Sequence, residues 1–249
     1  MKDLTSKEFW VNYWQHKELT KSISKDFPFG RLITRLVKEM NYKNSIEIGG
    51  YPGDYSIYFA KFLKLNSTLL DYVGNREVVD KLTQANGVDK KNIKFIKNNF
   101  FTYKSKKKYD LVFSLGFIEH FDNTSLAIKK HWELVSDKGT MIIALPNFLG
   151  INGVYQLLFD YNNFKVHNLA SMDQSNLLHI LKALQISSYE LFYEGRSMVW
   201  LENIKRRNIG LIIITYMLNI IGVILHTLGI RNKYLSTHIF IVARKSKNR

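Results

Sequence analysis

The residues whose types could support chemistry follow four short runs of apolar, β-forming residues. After the first run comes the glycine-rich turn Glu47-Ile48-Gly49-Gly50-Tyr51-Pro52-Gly53, whose glycines allow a tight turn and close approach of the backbone to a ligand. The second run ends in Asp71-Tyr72, where a carboxylate can accept hydrogen bonds from both hydroxyls of a ribose and a ring can stack on a purine. The third ends in Asn98-Asn99-Phe100, whose amides could read the edge of an adenine, and the fourth ends in Ser114-Leu115. Together the four segments predict a nucleoside-binding site.

These segments can meet if the runs are neighbouring strands of one sheet. The predicted strands are Ser45–Ile48, Thr68–Tyr72, Ile93–Lys97, Tyr109–Leu115, Thr140–Leu145, Ser188–Phe192 and His238–Ala243. Helical periods separate most of them, for example Ser56–Leu65, Arg76–Asn86, Asn123–Val135 and Gln174–Leu184. Repeated alternation of strand and helix indicates a mostly parallel sheet with helices on both faces. Such sheets bind ligands at the carboxyl ends of their strands, where the four segments stand.

The N-terminal region predicts two further helices. Phe9, Trp10, Tyr13 and Trp14 predict a short helix with one aromatic face, and Arg31–Met40 predicts a second, amphipathic helix. We expect residues 1–30 to form a helical cap and residues 31–249 to form the main domain. Segments 146–172 and 200–235 are expected to be cap or insert elements of that domain.

The composition excludes several classes of function. Hydrophobic residues make up 46% and charged residues 23% of the 249 residues, as in folded globular proteins. No cysteine is present, which excludes disulfide frameworks, cysteine-ligated zinc, iron–sulfur clusters and thiol catalysis. The formal net charge of +15 favours anionic partners such as nucleic acid, acidic lipid or phosphorylated substrates. Lysine, asparagine and isoleucine are abundant throughout, however, so the charge could also have no dedicated partner.

The motifs resemble those of the class I S-adenosylmethionine-dependent methyltransferases over roughly Arg31 to Leu145, together with the final strand. The turn over residues 47–53 is similar to that family's cofactor loop, Asp71 to its ribose-binding acid and Asn99 to the position that contacts the adenine amino group. The similarity continues in Tyr109-Asp110-Leu111-Val112-Phe113-Ser114 with Glu119-His120, in Lys138-Gly139-Thr140-Met141-Ile142-Ile143 and in Pro146-Asn147. The cofactor-binding residues that the resemblance implies are Glu47, Gly49, Gly50, Tyr51, Gly53, Asp71, Tyr72, Asn99, Phe100, Ser114 and Leu115. It also implies S-adenosyl-L-methionine as cofactor and a Rossmann-like, seven-stranded α/β fold with an antiparallel last strand, an N-terminal helical cap and an apolar insert before that strand.

Two residues depart from the family's pattern. Tyr51 stands where the middle glycine of the cofactor loop is usual, and its side chain could narrow the cofactor pocket. Asn99 replaces the commoner aspartate, which keeps an acceptor but loses a charge. A dinucleotide dehydrogenase is the competing interpretation of such a sheet, but the loop lacks the G-x-G-x-x-G pattern of a pyrophosphate cradle.

Methyl transfer to a hydroxyl also requires a base and an acceptor site. His120 is the candidate general base, because imidazole titrates near neutral pH; alternatively it caps or packs a helix. His167 is a second candidate, and Tyr13, Trp14, Asn147 and His167 are expected on the substrate side. Glu119 is expected to hold a backbone or cofactor group. We expect no metal, because no second carboxylate and histidine recur at ligand spacing.

A nearly uncharged segment, Ile209 to Ile230, precedes the last strand and has basic residues on both sides within 205–233. A helix of this length would extend about 33 Å, enough to cross a bilayer, but one crossing would separate the last strand from its sheet. The polar positions Asn208, Thr215, Asn219, Gly222 and His226 form one stripe of such a helix. The helix could lie on an anionic membrane surface, pack on the protein's own core, or pack against a second subunit in a homodimer.

The expected function is that of a methyltransferase acting on a small or lipid-linked acceptor, with a hydroxyl of a sugar or saccharide as the methylated group. The layout is similar to that of bacterial methyltransferases of surface-polysaccharide or quinone pathways. The charged stretch Met1 to Glu8 argues against a secretory signal, so we expect a cytoplasmic protein, either free or peripheral on the inner face of the membrane. One alternative is an RNA methyltransferase, although the basic run Lys104 to Lys108 lacks the interleaved aromatics of a nucleic-acid platform. The other is an inactive scaffold in which Tyr51 blocks the cofactor.

Overall fold

The computed structural model describes residues 2–15 and 17–246. Its strands are β1 (Asn44–Ile48), β2 (Asn66–Asp71), β3 (Ile93–Lys97), β4 (Tyr109–Leu115), β5 (Val135–Pro146), β6 (Tyr189–Glu194) and β7 (His238–Arg244). Its α-helices are α1 (Lys7–Gln15), α2 (Gly30–Val37), α3 (Asp54–Phe62), α4 (Arg76–Ala85), α5 (Thr124–Leu134), α6 (Ile151–Phe159), α7 (Tyr161–Phe164), α8 (Gln174–Ala183) and α9 (Ile209–Thr227). Short 3₁₀ turns cover Lys90–Asn92, Ile118–His120, Leu169–Met172 and Ile204–Arg206.

The strands form one seven-stranded sheet in the order β3-β2-β1-β4-β5-β7-β6, with the last strand antiparallel. β1 pairs in parallel with β2 on one side and with β4 on the other, and β2 pairs in parallel with β3. The strand order therefore reverses at β1 and β4, where sheets of this type bind their ligands. The predicted Rossmann-like α/β fold is confirmed.

Within the sheet, β5 differs most from the prediction. It begins at Val135, directly after α5, rather than at the predicted Thr140. The Lys245 N–H donates to the Gly139 carbonyl oxygen at 2.9 Å, so paired backbone extends into the segment that precedes the predicted start. Lys138 takes a positive φ of 61° in this stretch, which explains why the side-chain pattern there does not alternate like a strand.

By spatial contacts the chain divides into two compact units. The β1–β4 unit contains Thr5–Phe117, Ser125–Ile143 and 242–246, and the helical unit contains 2–4, Ile118–Thr124 and Ala144–Ile241. This division is based on contacts between residues, and the boundary that we predicted at residue 30 stays a prediction.

The β1–β4 unit is built on strands that are buried on both faces. Ile46, Ile48, Leu69, Val112 and Phe113 are each at most 1% exposed, as expected for parallel strands covered by helices on both sides. α3 is buried over six consecutive residues, Tyr55 to Ala60, and lies against β1 and β2. The turn between β1 and α3 is therefore held at both ends by buried elements.

The predicted aromatic helix at the N-terminus is present as α1, and none of its residues is buried. The ring centroids of Phe9 and Trp10 lie 5.2 Å apart, and those of Tyr13 and Trp14 lie 5.0 Å apart. The Trp14 ring also meets Tyr51 edge to face at a centroid distance of 5.6 Å. α1 thus contacts the residue that departs from the glycine pattern of the β1 turn.

The helical unit contains α9, the one helix of the described residues that is long and apolar enough to cross a membrane on length and composition alone. The predicted polar stripe is the face by which α9 packs. The Thr215 Oγ lies 2.8 Å from the Tyr155 hydroxyl oxygen of α6. The Asn219 side chain accepts from the Val199 N–H at 2.8 Å and donates to the Val199 carbonyl at 3.0 Å. Thr215 and Gly222 are the buried residues of α9, and Leu211 and Leu218 pack against Tyr155, Val199 and Leu201. Most of the other apolar side chains of α9 are exposed.

Candidate functional site

The turn after β1 depends on glycine at both of its ends. Gly49 has φ +65°, and its N–H donates to the Leu70 carbonyl oxygen at 2.9 Å. Gly53 has φ +104° where α3 begins. L-residues with side chains rarely adopt these backbone angles. A Cβ at Gly49 would also lie 2.1 Å from a ring carbon of Phe117, so this ring rests directly on the turn.

Asp71, at the end of β2, is tied to the β1 turn. Its Oδ2 accepts from the Tyr51 N–H at 3.0 Å and its Oδ1 accepts from the Val73 N–H at 2.9 Å. Burial raises the pKa of this carboxyl to about 6, although the amide donors oppose the shift. Each carboxylate oxygen has two lone-pair positions, so Asp71 retains acceptor capacity for a ligand hydroxyl.

Glu47, at the carboxyl end of β1, is engaged with α3. Its Oε2 accepts from both the backbone N–H and the hydroxyl of Ser56, each at 2.6 Å. The side chain is 2% exposed, and burial raises its pKa to about 8 against the effect of the Ser56 donors. Glu47 therefore anchors the first turn of α3, and it also lies against the glycine turn.

Tyr51 is 5% exposed, with its ring pressed against the backbone after β2. A Cβ at Gly74 would lie 2.4 Å from a carbon of this ring, so Gly74 makes room for it. Trp14 also contacts the Tyr51 ring, as described above. Tyr72, the predicted stacking residue, is half-buried nearby in the chain.

The residues after β3 and at the end of β4 form a second group in the same unit. Asn99 is exposed, and its Oδ1 accepts from the Phe101 N–H at 2.8 Å, which closes a tight turn. Phe100 is buried against Phe117 and His131, at centroid distances of 5.4 and 4.7 Å. The structure therefore brings Phe100 toward the Phe117 ring that covers Gly49, whereas the side-chain oxygen of Asn99 serves its own turn.

Ser114 has a partner that the sequence did not suggest. His131 of α5 lies with Nδ1 2.8 Å from the Ala127 carbonyl oxygen and Nε2 3.0 Å from the Ser114 Oγ. Since the carbonyl can only accept, Nδ1 donates and Nε2 accepts from the Ser114 hydroxyl. Burial lowers the pKa of His131 to about 4, so its ring is neutral at pH 7. Leu115, the next predicted residue, is half-buried.

The helical unit holds a separate cluster made by Glu119, His120 and His167. One ligand-type atom from each residue lies within 4.8 Å of the other two, and Glu119 Oε1 is 3.9 Å from His120 Nε2. Burial raises the pKa of Glu119 to about 8. Burial, and after it the charge of His167, lowers the pKa of His120 to about 3, and burial also lowers the pKa of His167.

Sequence spacing gave no reason to expect this cluster. His120 and His167 come together only through folding: the Asn168 N–H donates to the Glu119 carbonyl at 2.7 Å, and the Asn168 side chain donates to the Phe121 carbonyl at 2.9 Å. The expected absence of metal is not tested by the structure. A carboxylate and two imidazoles nevertheless lie close together in space, which the spacing of these residues in the sequence did not indicate.

An aromatic ring lies beside His167 and contacts two further aromatic rings. Phe148 lies 4.6 Å from the His167 ring between centroids, and Phe164 and Trp200 lie 6.0 and 5.8 Å from Phe148. Phe148 directly follows Asn147, which we predicted on the substrate side. The Asn147 side chain is fully buried and donates to the carbonyls of Lys233 and Ser236 at 2.8 and 2.9 Å. Asn147 thus holds the segment before β7. The residue of this segment that contacts His167 is Phe148, and its aromatic side chain is the feature of the sequence that could have indicated it.

Comparison with known proteins rests on structure. No family model matches the chain, and no curated protein sequence matches it. A SAM dependent methyltransferase from Archaeoglobus fulgidus superimposes with a TM-score of 0.56 at 15% identity, over 96% of this chain and 100% of that chain. Phosphoethanolamine N-methyltransferase 2 of Haemonchus contortus, solved with phosphomonomethylethanolamine and S-adenosylhomocysteine, gives a TM-score of 0.61 at 14% identity, over 96% of this chain and 57% of that chain. A Nostoc punctiforme protein assigned as an O-methyltransferase gives 0.58 at 17% identity, over 86% of this chain and 55% of that chain.

The chain therefore spans a little more than half the length of two of these proteins and the full length of the third. Together with the strand order, the superpositions show that this chain has the Rossmann-like fold of class I methyltransferases. At these identities the likeness shows the fold of the chain, and the fold alone does not establish an activity.

Proposed function

We propose that the chain is an S-adenosylmethionine-dependent methyltransferase. The observation that carries the proposal is the hydrogen bond between the Tyr51 N–H of the glycine turn and the buried Asp71 carboxylate, at the reversal of strand order in a methyltransferase fold. This bond brings the backbone of the turn together with a carboxylate that can accept hydrogen bonds from ribose hydroxyls. The cofactor-bound structures among the superimposed proteins support the same choice of ligand.

The donor and acceptor set of the β1–β4 unit fits an adenosyl group. Gly49 and Gly53 let the backbone turn at positive φ angles beside Asp71, and Asp71 keeps acceptor positions for two hydroxyls. The rings of Tyr51 and Phe117 lie against Gly74 and Gly49, and they supply flat apolar surfaces beside that backbone. Tyr51 is therefore assigned as a wall of the pocket, in the place of the usual glycine.

When bound, S-adenosylmethionine supplies a methyl group on a sulfonium sulfur, and transfer to a hydroxyl requires that the acceptor oxygen lose its proton. We assign the acceptor to residues of the helical unit. Glu119 and His120 lie in the short 3₁₀ turn that follows β4, and the Phe148 ring beside His167 offers an apolar surface for an acceptor. A hydroxyl acceptor suits this group because imidazole and carboxylate can hold or receive its proton.

Calorimetric titration of S-adenosylmethionine tests the cofactor assignment. Asp71→Asn keeps the size of the side chain but replaces one acceptor oxygen with a donor. It should weaken binding about 10- to 100-fold, as expected for loss of hydrogen bonds to a charged group. The matched control is Asp137→Asn, because Asp137 is exposed in the same unit. Near-UV circular dichroism of both ligand-free variants establishes that they are folded.

Two outcomes would contradict the cofactor proposal. If the wild-type protein binds neither S-adenosylmethionine nor S-adenosylhomocysteine, the chain is a scaffold with a methyltransferase fold. If it binds them and folded Asp71→Asn binds equally well, the nucleoside lies elsewhere than at the β1 and β2 ends.

The acceptor is assigned as lipid-linked because α6 and α9 present a broad apolar surface. Its side chains, at least 40% exposed, are Ile151, Val154, Leu157, Leu158, Phe159, Ile209, Ile213, Ile214, Tyr216, Met217, Ile220, Ile221, Val223 and Ile224. A surface of this size on a soluble monomer normally marks an interaction site. Exposed Lys205 and Arg206 stand just before α9, where they could meet anionic headgroups. The polar stripe of α9 is already used for packing, which leaves the apolar face for the membrane interface.

Flotation of the full chain with vesicles, with and without phosphatidylserine, tests the membrane surface. Lys205→Glu/Arg206→Glu should reduce partitioning to the anionic vesicles by at least about 30-fold, since each basic residue contributes about 1 kcal/mol. Lys104→Glu/Lys106→Glu makes the same change in net charge in the β1–β4 unit and should have little effect. Failure of the wild-type protein to float, or an equal loss in both variants, would contradict a membrane surface at α9. Concentration-dependent dimerisation without flotation would assign the apolar face to a second copy.

A further inference from the structure

We propose that Glu119, His120 and His167 bind one divalent transition-metal ion, for which Zn²⁺ is the best match. The three residues lie on two segments of the helical unit, Ile118–His120 and the chain after α7. A pair of imidazoles with one carboxylate is a ligand set that divalent zinc and iron bind, typically with positions left open for a further ligand. The proposal concerns metal binding by this cluster and stands apart from the cofactor site of the β1–β4 unit.

The hydrogen bonds of the two histidines prepare both rings for a metal. His120 Nδ1 lies 3.2 Å from the Val166 carbonyl oxygen, and His167 Nδ1 lies 2.7 Å from the Asn163 carbonyl oxygen. A carbonyl can only accept, so each Nδ1 carries the proton and each Nε2 carries the lone pair. Metal-binding histidines commonly have such a bond from the second ring nitrogen, because it fixes the tautomer and the orientation of the ring.

Glu119 supplies the second, independent observation. Its side chain is 1% exposed, and its Oε2 has no hydrogen-bond partner among the described residues. A buried polar atom without a partner is costly, and a buried carboxylate is more so. A cation at the cluster would satisfy this oxygen and compensate the carboxylate charge.

The spacing of the ligand atoms is close to that of a bound ion. Tetrahedral zinc with bonds of about 2.0–2.2 Å holds its ligand atoms about 3.3–3.5 Å apart. The Glu119 Oε1 to His120 Nε2 distance of 3.9 Å must shorten by only about half an ångström to meet this. The widest separation in the cluster, 4.8 Å, requires a further rotation of one side chain. Asn168 holds the two ligand-bearing segments together through the hydrogen bonds given above.

The surroundings favour an ion that keeps one open position. Phe148 contacts the His167 ring, and Phe164 and Trp200 contact Phe148; these apolar rings lower the local dielectric constant, which strengthens electrostatic interactions at the cluster. Three protein ligands leave the fourth tetrahedral position for an oxygen donor. If the proposed function holds, a hydroxyl of the acceptor would be such a donor, and the ion would supply the Lewis-acid chemistry that lowers the pKa of a bound hydroxyl.

The test uses the full chain, freed of metal with EDTA and then desalted. Titration with Co²⁺ should give one equivalent of the intense visible bands of a tetrahedral site, and calorimetry with Zn²⁺ should give the same stoichiometry. Glu119→Gln and His167→Phe should each weaken Zn²⁺ binding by at least about 100-fold, because loss of a direct ligand exceeds the effect of outer-shell changes. His167→Phe keeps a flat ring among the aromatic side chains, which favours a folded variant. The matched control is His179→Ala, since His179 is an exposed histidine of the same unit.

The outcomes separate this inference from the proposed function. Absence of a tetrahedral Co²⁺ spectrum in the wild-type protein overturns the metal site whatever the variants do. Equal binding by wild type, Glu119→Gln and His167→Phe places the ion elsewhere and also overturns it. Calorimetry of S-adenosylmethionine with the metal-free protein reports on the cofactor site alone. Loss of that binding would contradict the proposed function and leave the metal site standing.

Discussion

Replacement of Gly222 by alanine tests which face of α9 packs on the protein. Helix propensity alone predicts that Gly222→Ala stabilises, because alanine is favoured over glycine by about 1 kcal/mol within a helix. The packing of α9 against Ser197 predicts instead that Gly222→Ala destabilises the protein. A Cβ at Gly222 would lie 1.6 Å from the Ser197 backbone oxygen, far inside any real contact. The Ser197 oxygen belongs to the chain and cannot rotate away like a side chain.

The loss of stability expected for Gly222→Ala follows from the distance by which α9 must move away from Ser197. An ordinary contact begins near 3.4 Å, so α9 and the chain around Ser197 must separate by about 1.8 Å. That movement breaks the two hydrogen bonds between Asn219 and Val199 and the bond between Thr215 and Tyr155. Three bonds at about 1 kcal/mol each, less the gain in helix propensity, give a net destabilisation of about 2 kcal/mol.

Urea unfolding measures the global effect, and hydrogen exchange at the Val199 amide measures local release of α9. Gly210→Ala is the matched control, because a Cβ at Gly210 would meet only the Asn208 side chain, at 3.2 Å. We expect Gly222→Ala to lower the free energy of unfolding or the Val199 protection by about 2 kcal/mol, and Gly210→Ala to do neither. If Gly222→Ala instead stabilises the protein, as helix propensity alone predicts, the polar stripe of α9 does not pack as described, and the assignment of an outward apolar face is contradicted.

The remaining predictions concern the β1–β4 unit. Since the pKa of Glu47 is raised to about 8 from a usual value of 4.5, the folded state holds a proton that the unfolded chain releases. The free energy of unfolding of the wild type should therefore fall relative to that of Glu47→Gln as the pH rises from 4.5 to about 8. Urea titrations across that range check this, and a constant difference would contradict it. Ser114→Ala removes the donor to His131 Nε2 and should cost about 1–3 kcal/mol of stability while S-adenosylmethionine affinity stays near that of the wild type. A loss of S-adenosylmethionine affinity without a loss of stability would instead support Ser114 as a cofactor-binding residue.

The fold could be predicted because its signals are local in the chain. Most of the strands contain a short run of β-forming residues, and the alternation with helical periods leaves few topologies for a parallel sheet. The glycine turn was recognisable because Gly49 and Gly53 adopt backbone angles that other residues avoid. The start of β5 was missed because the polar residues before Thr140 lack the alternation of a strand, and their pairing with the chain near Lys245 is visible only in three dimensions.

The candidate site was harder to predict because the use of a polar side chain depends on its neighbours in space. Ser114 and Asn99 have the residue types of a nucleoside site, yet their side chains serve His131 and a local turn. His131 was overlooked because nothing in a helical sequence marks one histidine as the acceptor for a serine on another element. The Glu119 cluster was missed for the same reason: a ligand set made across the fold leaves no fixed spacing in the chain.

The two roles considered for His120 exclude one another. Its Nδ1 donates to the Val166 carbonyl, so Nε2 is the nitrogen that can take either a proton from an acceptor or a bond to a metal ion. A ring bound to the ion cannot also act as general base. Because a metal ion acidifies a hydroxyl directly, a metal-bound centre needs no histidine base, whereas a metal-free centre needs one. The sequence-based assignment of His120 as base and the metal site inferred from the structure therefore compete for the same lone pair, and a tetrahedral Co²⁺ spectrum of the wild-type protein would exclude His120 as the base of the metal-bound protein.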